Sequence, residues 1–90
     1  MNMGSACMRF YFHQQTLDGL LEDPDGTEFL DVGHAVADAL QSARHLWADA
    51  IIQQKDLTGE TFEIADEAGN HVASVALVEA LPASLRPDAD

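Results

Sequence analysis

Positive charge is scarce: four lysines and arginines stand against sixteen aspartates and glutamates in 90 residues, a formal charge of −12 at pH 7. Such a surface repels a phosphate backbone, and Arg9, Arg44, Lys55 and Arg86 are too scattered to form a local basic patch, so direct nucleic-acid binding is disfavoured. Cysteine is limited to Cys7, which rules out an intrachain disulfide, lies outside every predicted element and suits the cytoplasm. Long apolar runs are missing: nothing approaches the roughly 20 residues needed to cross a bilayer, and the N-terminus lacks the basic-then-apolar order of a signal peptide. The expectation is a soluble, unexported, cytoplasmic chain with no membrane partner. Ser5, Ser42, Ser74 and Ser84 have no nucleophile-elbow context, and Gly19, Gly26, Gly33, Gly59 and Gly69 are dispersed rather than gathered into a phosphate cradle.

What is present is a foldable core composition, 47% hydrophobic, in a chain long enough for one domain. The dominant signal runs from Asp31 to about Gln54. Val32, Val36, Ala39, Leu40, Ala43, Leu46, Trp47, Ala50 and Ile51 recur at spacings of three and four and draw an apolar stripe down one helical face. His34, Asp38, Ser42, His45, Asp49 and Gln53 occupy the other. Asp31 is the natural N-cap, and Lys55 with Thr58 and Gly59 marks the far end.

Around this helix the periodicity is two. Residues 8–13 alternate Phe10 and Phe12 with Arg9, Tyr11 and His13; Leu20 to Glu22 forms a short second strand; and Asp23-Pro24-Asp25-Gly26 is a strong turn signal. Thr27 to Leu30 leads into the helix. After it, Thr61 to Ala65 buries Phe62 and Ile64, residues 66–70 make a hairpin loop with Gly69 or Asn70 left-handed, and His71 to Val78 is the last strand, burying Val75 and Leu77. The pattern predicts an α+β two-layer domain of order β-β-α-β-β, one long helix on a four-stranded antiparallel sheet with strand order 2-1-3-4. Residues 8–81 form the single domain, 1–7 a disordered head and 82–90 a disordered acidic tail.

Arg9 to His13, the turn at 23–26 with Glu28 and Asp31, the segment Ala39-Leu40 with Ser42-Ala43-Arg44 and Leu46, and Phe62 to Gly69 together resemble a family of small proteins of rhizobial and related alphaproteobacteria known only as a domain of unknown function. The resemblance covers Met8 to Leu81. It implies a shared fold, no established activity and no catalytic residue to transfer, and an added head over Met1 to Cys7. The plan also resembles the antitoxin half of a toxin-antitoxin pair, in which a small domain sets a helix against an antiparallel sheet. The chain lacks the helix-turn-helix or ribbon-helix-helix extension such proteins use on DNA.

Candidate chemistry is confined to histidines and acids. His34 with Asp38 and His45 with Asp49 stand at helical spacing, and His13 lies on the outward row of the first strand where a neighbouring acid could hold it. Convergent zinc ligands and the His-Glu-x-x-His pattern are absent, and the acids at 23–28 lack the twelve-residue spacing of a calcium loop. A metal-dependent or small-molecule enzyme built on His13 or the helix His/Asp pairs is the rival reading.

The favoured reading is a non-enzymatic protein-interaction or regulatory module without cofactor or metal, acting as a homodimer, antitoxin-like in one version, and steered by its acidity toward a basic protein partner. It rests on length. A helix from Asp31 to Gln54 spans roughly 34 Å and strands of five or six residues about 20 Å, so the helix overhangs its sheet. That leaves Trp47, Ile51 and Ile52 at the overhang, or Tyr11, Val72 and Val78 on the outer sheet face, as the expected interface.

Overall fold

The computed structural model describes residues 7–86, so most of the expected head and the last four residues of the expected tail lie outside the described residues. Strand β1 (Met8–Thr16) is followed by β2 (Gly19–Leu21) and β3 (Thr27–Phe29), helix α1 (Val32–Gln53), then β4 (Thr61–Ala65) and β5 (His71–Ala76). Two 3-10 turns, Leu77–Ala80 and Ala83–Leu85, close the described chain.

The architecture is α+β, one helix against an antiparallel sheet, but the sheet has five strands rather than the expected four. The path β2-β1-β4-β5 is hydrogen-bonded in that order, and β3 pairs with β1 off that path. Thr27 to Phe29, expected as a lead-in to the helix, is therefore a strand, with Met8 opposite Phe29 and Phe10 opposite Thr27. Pairing of that segment is possible because β1 is long. It offers its start to β3 and its end, Gln14 to Thr16, to β2.

Asp23 bridges the connection between those two short strands. Its Oδ2 accepts the Phe12 N–H at 3.1 Å, and its Oδ1 accepts the N–H groups of Asp25 and Gly26 at 3.2 and 3.1 Å. Gly26 sits at φ +70°, where a Cβ would come within 2.9 Å of Arg9 Cγ, the Phe10 carbonyl oxygen and Tyr11 Cε2, so the turn requires glycine on two counts. At the β4–β5 hairpin the left-handed residue is Gly69, and Asp66 Oδ1 accepts the N–H groups of Ala68 and Asn70.

Asp31 caps the helix as expected, its Oδ1 accepting the His34 N–H at 2.9 Å. The far end differs. Gln54 turns left-handed (φ 60°) and the Lys55 N–H reaches back to the Ala50 carbonyl at 2.7 Å, so the helix stops before Thr58 and Gly59 are reached. The buried line is Ala35, Ala39, Ala43, Trp47 and Ala50, flanked by half-buried Val32, Val36, Leu40 and Leu46. Three alanines at spacings of four bring the helix axis close to the sheet, where Phe10, Phe62, Ile64, Val75 and Leu77 fill the space. Among the described residues no polar or charged residue is buried.

Two expectations about length are corrected. The 22-residue helix spans roughly 33 Å at about 1.5 Å per residue and nine-residue β1 roughly 30 Å at about 3.3 Å per residue, so the length mismatch is smaller than strands of five or six residues imply, although Ile51 and Ile52 at the helix end stay exposed. The last strand ends at Ala76, two residues early, and Leu77–Ala80 folds as a 3-10 turn against the helix. That turn covers Trp47. Its indole N–H donates to the Leu77 carbonyl, and Trp47 is only 8% exposed.

Candidate functional site

The outer sheet face carries a polar cluster set by strand register. His13 stands opposite Glu63, and Glu63 opposite Ser74. Glu63 Oε1 accepts a hydrogen bond from Ser74 Oγ and lies 2.9 Å from His71 Nε2, while Oε2 accepts from Thr61 Oγ1 at 2.7 Å. The Ser74 hydroxyl first, then Thr61 and His71, outweigh partial desolvation and hold the Glu63 carboxyl below its ordinary pKa.

Serine, histidine and acid are thus together, yet the wiring is wrong for nucleophilic catalysis. Ser74 Oγ and Glu63 Oε1 both meet His71 at Nε2, whereas an activated serine needs its acid on the opposite ring nitrogen. The cluster acts as a clasp between β4 and β5. Nothing in the sequence singles it out, because its members become neighbours only once the hairpin register is fixed.

His13 is held from another direction than expected. Its Nδ1 accepts the Asp23 backbone N–H at 3.1 Å, which places the ring proton on Nε2, and the ring stacks on Tyr11 with centroids 6.4 Å apart. Partial burial alone would raise the Asp23 carboxyl's pKa. The backbone N–H groups of Phe12, Gly26 and Asp25, with nearby His13, outweigh it and leave that pKa lowered. His34 turns to Asp31, with Nδ1 to Oδ1 at 2.8 Å, rather than to Asp38. His45 and Asp38 lie on one wall of a groove, and Asp49 lines the hollow beside it. Among the described residues no group of three or more His, Cys, Asp or Glu side chains could hold a metal ion.

The expected interface residues divide. Trp47 is inside the monomer, a correction that follows from the unforeseen 3-10 turn. Ile51 and Ile52 are 67% and 80% exposed. On the sheet side Val72 is exposed and Tyr11 half-buried, with the outer face interrupted by the His71, Glu63 and Ser74 cluster; Val78, expected on that face, lies instead half-buried in the Leu77–Ala80 turn, because the strand ends at Ala76.

The groove, of about 420 Å³, lies between α1 and the inner face of β1. It exists because the helix packs toward β5 and the Leu77–Ala80 turn, leaving Phe12 and Gln14 half-buried. Phe12, Phe62 and Leu46 supply its apolar surface; Asp38, Ser42 and His45 come from the helix, and Asp23 and Thr27 from the segment between β2 and the helix. Leu21, opposite Gln14 in the sheet and therefore on the same face, stays 60% exposed and extends the apolar surface outward.

These features define a small α+β domain with an offset helix, an apolar helix end and an acid-walled groove. The chain belongs to the family described as Domain of unknown function (DUF6894), whose model matches residues 9–78. No curated protein and no solved structure matches the chain. Among the described residues no helix is long and apolar enough to cross a membrane.

Proposed function

We propose that this domain is a non-enzymatic protein-binding module that works in the cytoplasm as a homodimer, two copies meeting at the C-terminal end of the helix. The observation that carries the proposal is the exposure of two adjacent isoleucines, Ile51 at 67% and Ile52 at 80%, beside a Trp47 that the monomer already covers. Isolated apolar residues on a surface are ordinary; adjacent branched ones at a helix end add to a continuous patch.

Local charge supports the same surface. Ile51 lies one turn beyond Trp47 and seven residues after Arg44, which puts that arginine on the isoleucine's helical face. Asp49 is close in sequence, but at physiological salt screening over about 8 Å shields the more distant acids behind the charge of −12. Tyr11 and Val72 lie on the sheet face, where the Glu63 cluster interrupts the apolar surface, so the helix end is the preferred contact.

Sedimentation equilibrium tests the proposal. A reversible dimer at micromolar concentration is the expected result, with Ile51→Glu and Ile52→Glu together shifting it to monomer. A wild-type chain that stays monomeric across the concentration range would remove self-association from this account.

A further inference from the structure

The groove between α1 and β1 has a recognisable occupant chemistry. It is lined by Phe12, Phe62 and Leu46, and it carries carboxylates at Asp38 on the helix side and Asp23 on the side of the β2–β3 connection. Glu60 is close by, its Oε1 accepting from Gln14 Nε2 at 2.9 Å. Among the described residues the groove is lined by His45 but by no lysine or arginine. The three backbone N–H groups bound to Asp23 use its lone pairs from the protein side and favour its charged form, so that wall stays anionic at neutral pH.

Shape selects between a small molecule and a chain. Small-molecule sites enclose most of their ligand, whereas this groove is open and its apolar surface runs on through exposed Leu21. An open channel with an apolar surface and acidic walls fits a polypeptide segment that lays large apolar side chains inward and basic ones toward the rim.

We propose that the groove between α1 and β1 binds a segment of a partner protein in which leucine-like side chains recur among lysines or arginines. Its apolar side chains sit against Phe12, Leu46 and Phe62, and its cations meet Asp38 and Asp23. The inference rests on reading the domain as a protein-binding module but not on self-association, which uses the helix end.

The test uses the full chain and a labelled synthetic peptide in which leucine recurs among lysines, followed by fluorescence anisotropy. The same peptide with glutamate for lysine, and one with serine for leucine, are the controls. Saturable one-to-one binding is expected for the leucine-lysine peptide alone. Asp38→Lys and Ser42→Arg, each checked for retained helicity, should raise its Kd about tenfold or more, while Glu67→Lys, an equal charge change at the β4–β5 hairpin, should leave it nearly unchanged. Equal weakening by Asp38→Lys and Glu67→Lys would reveal charge attraction without a site and overturn the proposal. Absence of binding by a chain that still dimerises through Ile51 and Ile52 would overturn it too, leaving the module reading in place. Concentration-dependent assembly of the chain alone that Ser42→Arg abolishes would make a second copy the occupant, which also contradicts it.

Discussion

The indole Nε1 of Trp47 donates a hydrogen bond to the carbonyl oxygen of Leu77 at 2.8 Å, tying the helix to a turn 30 residues further along the chain. The bond is buried, so its loss leaves a carbonyl without water. Trp47→Phe, which keeps an aromatic ring but no donor, is expected to destabilise the fold by about 1–3 kcal/mol, and Trp47→Ala by about 3–5 kcal/mol. Urea unfolding checks both. Equal stability of wild type and Trp47→Phe would show that the turn is held by apolar packing alone.

The fully buried alanines predict the opposite kind of sensitivity. Ala39 and Ala43 have no exposed surface and set the distance between helix and sheet. Ala43→Leu should cost about 1–3 kcal/mol by overpacking. Leu77→Ala, which empties a fully buried site, should cost about 2–5 kcal/mol. Asp38→Ala on the exposed face should stay within about 0.5 kcal/mol. Equal melting temperatures for Ala43→Leu and Asp38→Ala would mean that the helix is not pressed against the sheet along this line.

Gly26 and Gly59 separate two effects of a side chain at positive φ. Both are left-handed, at φ +70° and +90°, but a Cβ at Gly26 meets three heavy atoms at 2.9 Å, including a backbone oxygen, and a Cβ at Gly59 meets nothing within 4 Å. Gly26→Ala should destabilise by more than about 1 kcal/mol and by more than Gly59→Ala. Parallel denaturation curves decide it, and a larger loss at Gly59 would contradict the packing described for the Asp23 turn.

Much of this was legible from pattern. The helix shows its 3.6 period and an aspartate cap, Phe10 with Phe12 and Phe62 with Ile64 show a period of two, and the turns at residues 23–26 and 66–70 carry their own chemistry. Thr27-Glu28-Phe29 is too short to display any period, and Gln14 to Thr16 has no apolar residue to reveal that β1 continues, so the fifth strand and the full length of β1 were hidden. Leu77 continues the inward row of β5, so the pattern predicts strand where the chain folds into a 3-10 turn. The consequence was the exposed tryptophan that the structure covers. The groove depends on how far the helix is displaced across the sheet, a tertiary quantity that no local pattern encodes.

Among the described residues five carboxylates have lowered pKa values, and their sign fixes the acid response. Hydrogen bonds from His34 hold Asp31 down, from Thr58 Asp56, from Ser74 and Thr61 Glu63, and from Asn70 Asp66; in Asp23 backbone donors outweigh burial. Each group binds its proton less readily folded than unfolded. The stability it contributes is present above the ordinary carboxylate range, near pH 4, and is lost as pH falls through the lowered folded values. Melting temperature should therefore drop on acidification below about pH 4, although neutralising the excess of acids relieves repulsion. Asp23→Asn should show a smaller drop than wild type between neutral and acid pH, and an identical drop would show that Asp23 is not a contributor.

The claim that copies meet at the helix end is tested most directly by a single spin label there. With Cys7→Ser removing the only cysteine, Ile52→Cys supplies a unique attachment point in an exposed position. Pulsed dipolar spectroscopy of that protein should give one short inter-copy distance, while a label introduced by Glu67→Cys at the β4–β5 hairpin gives a longer one. The absence of dipolar coupling between labels at position 52 in a sample that sediments as a dimer would place the contact elsewhere and contradict the account.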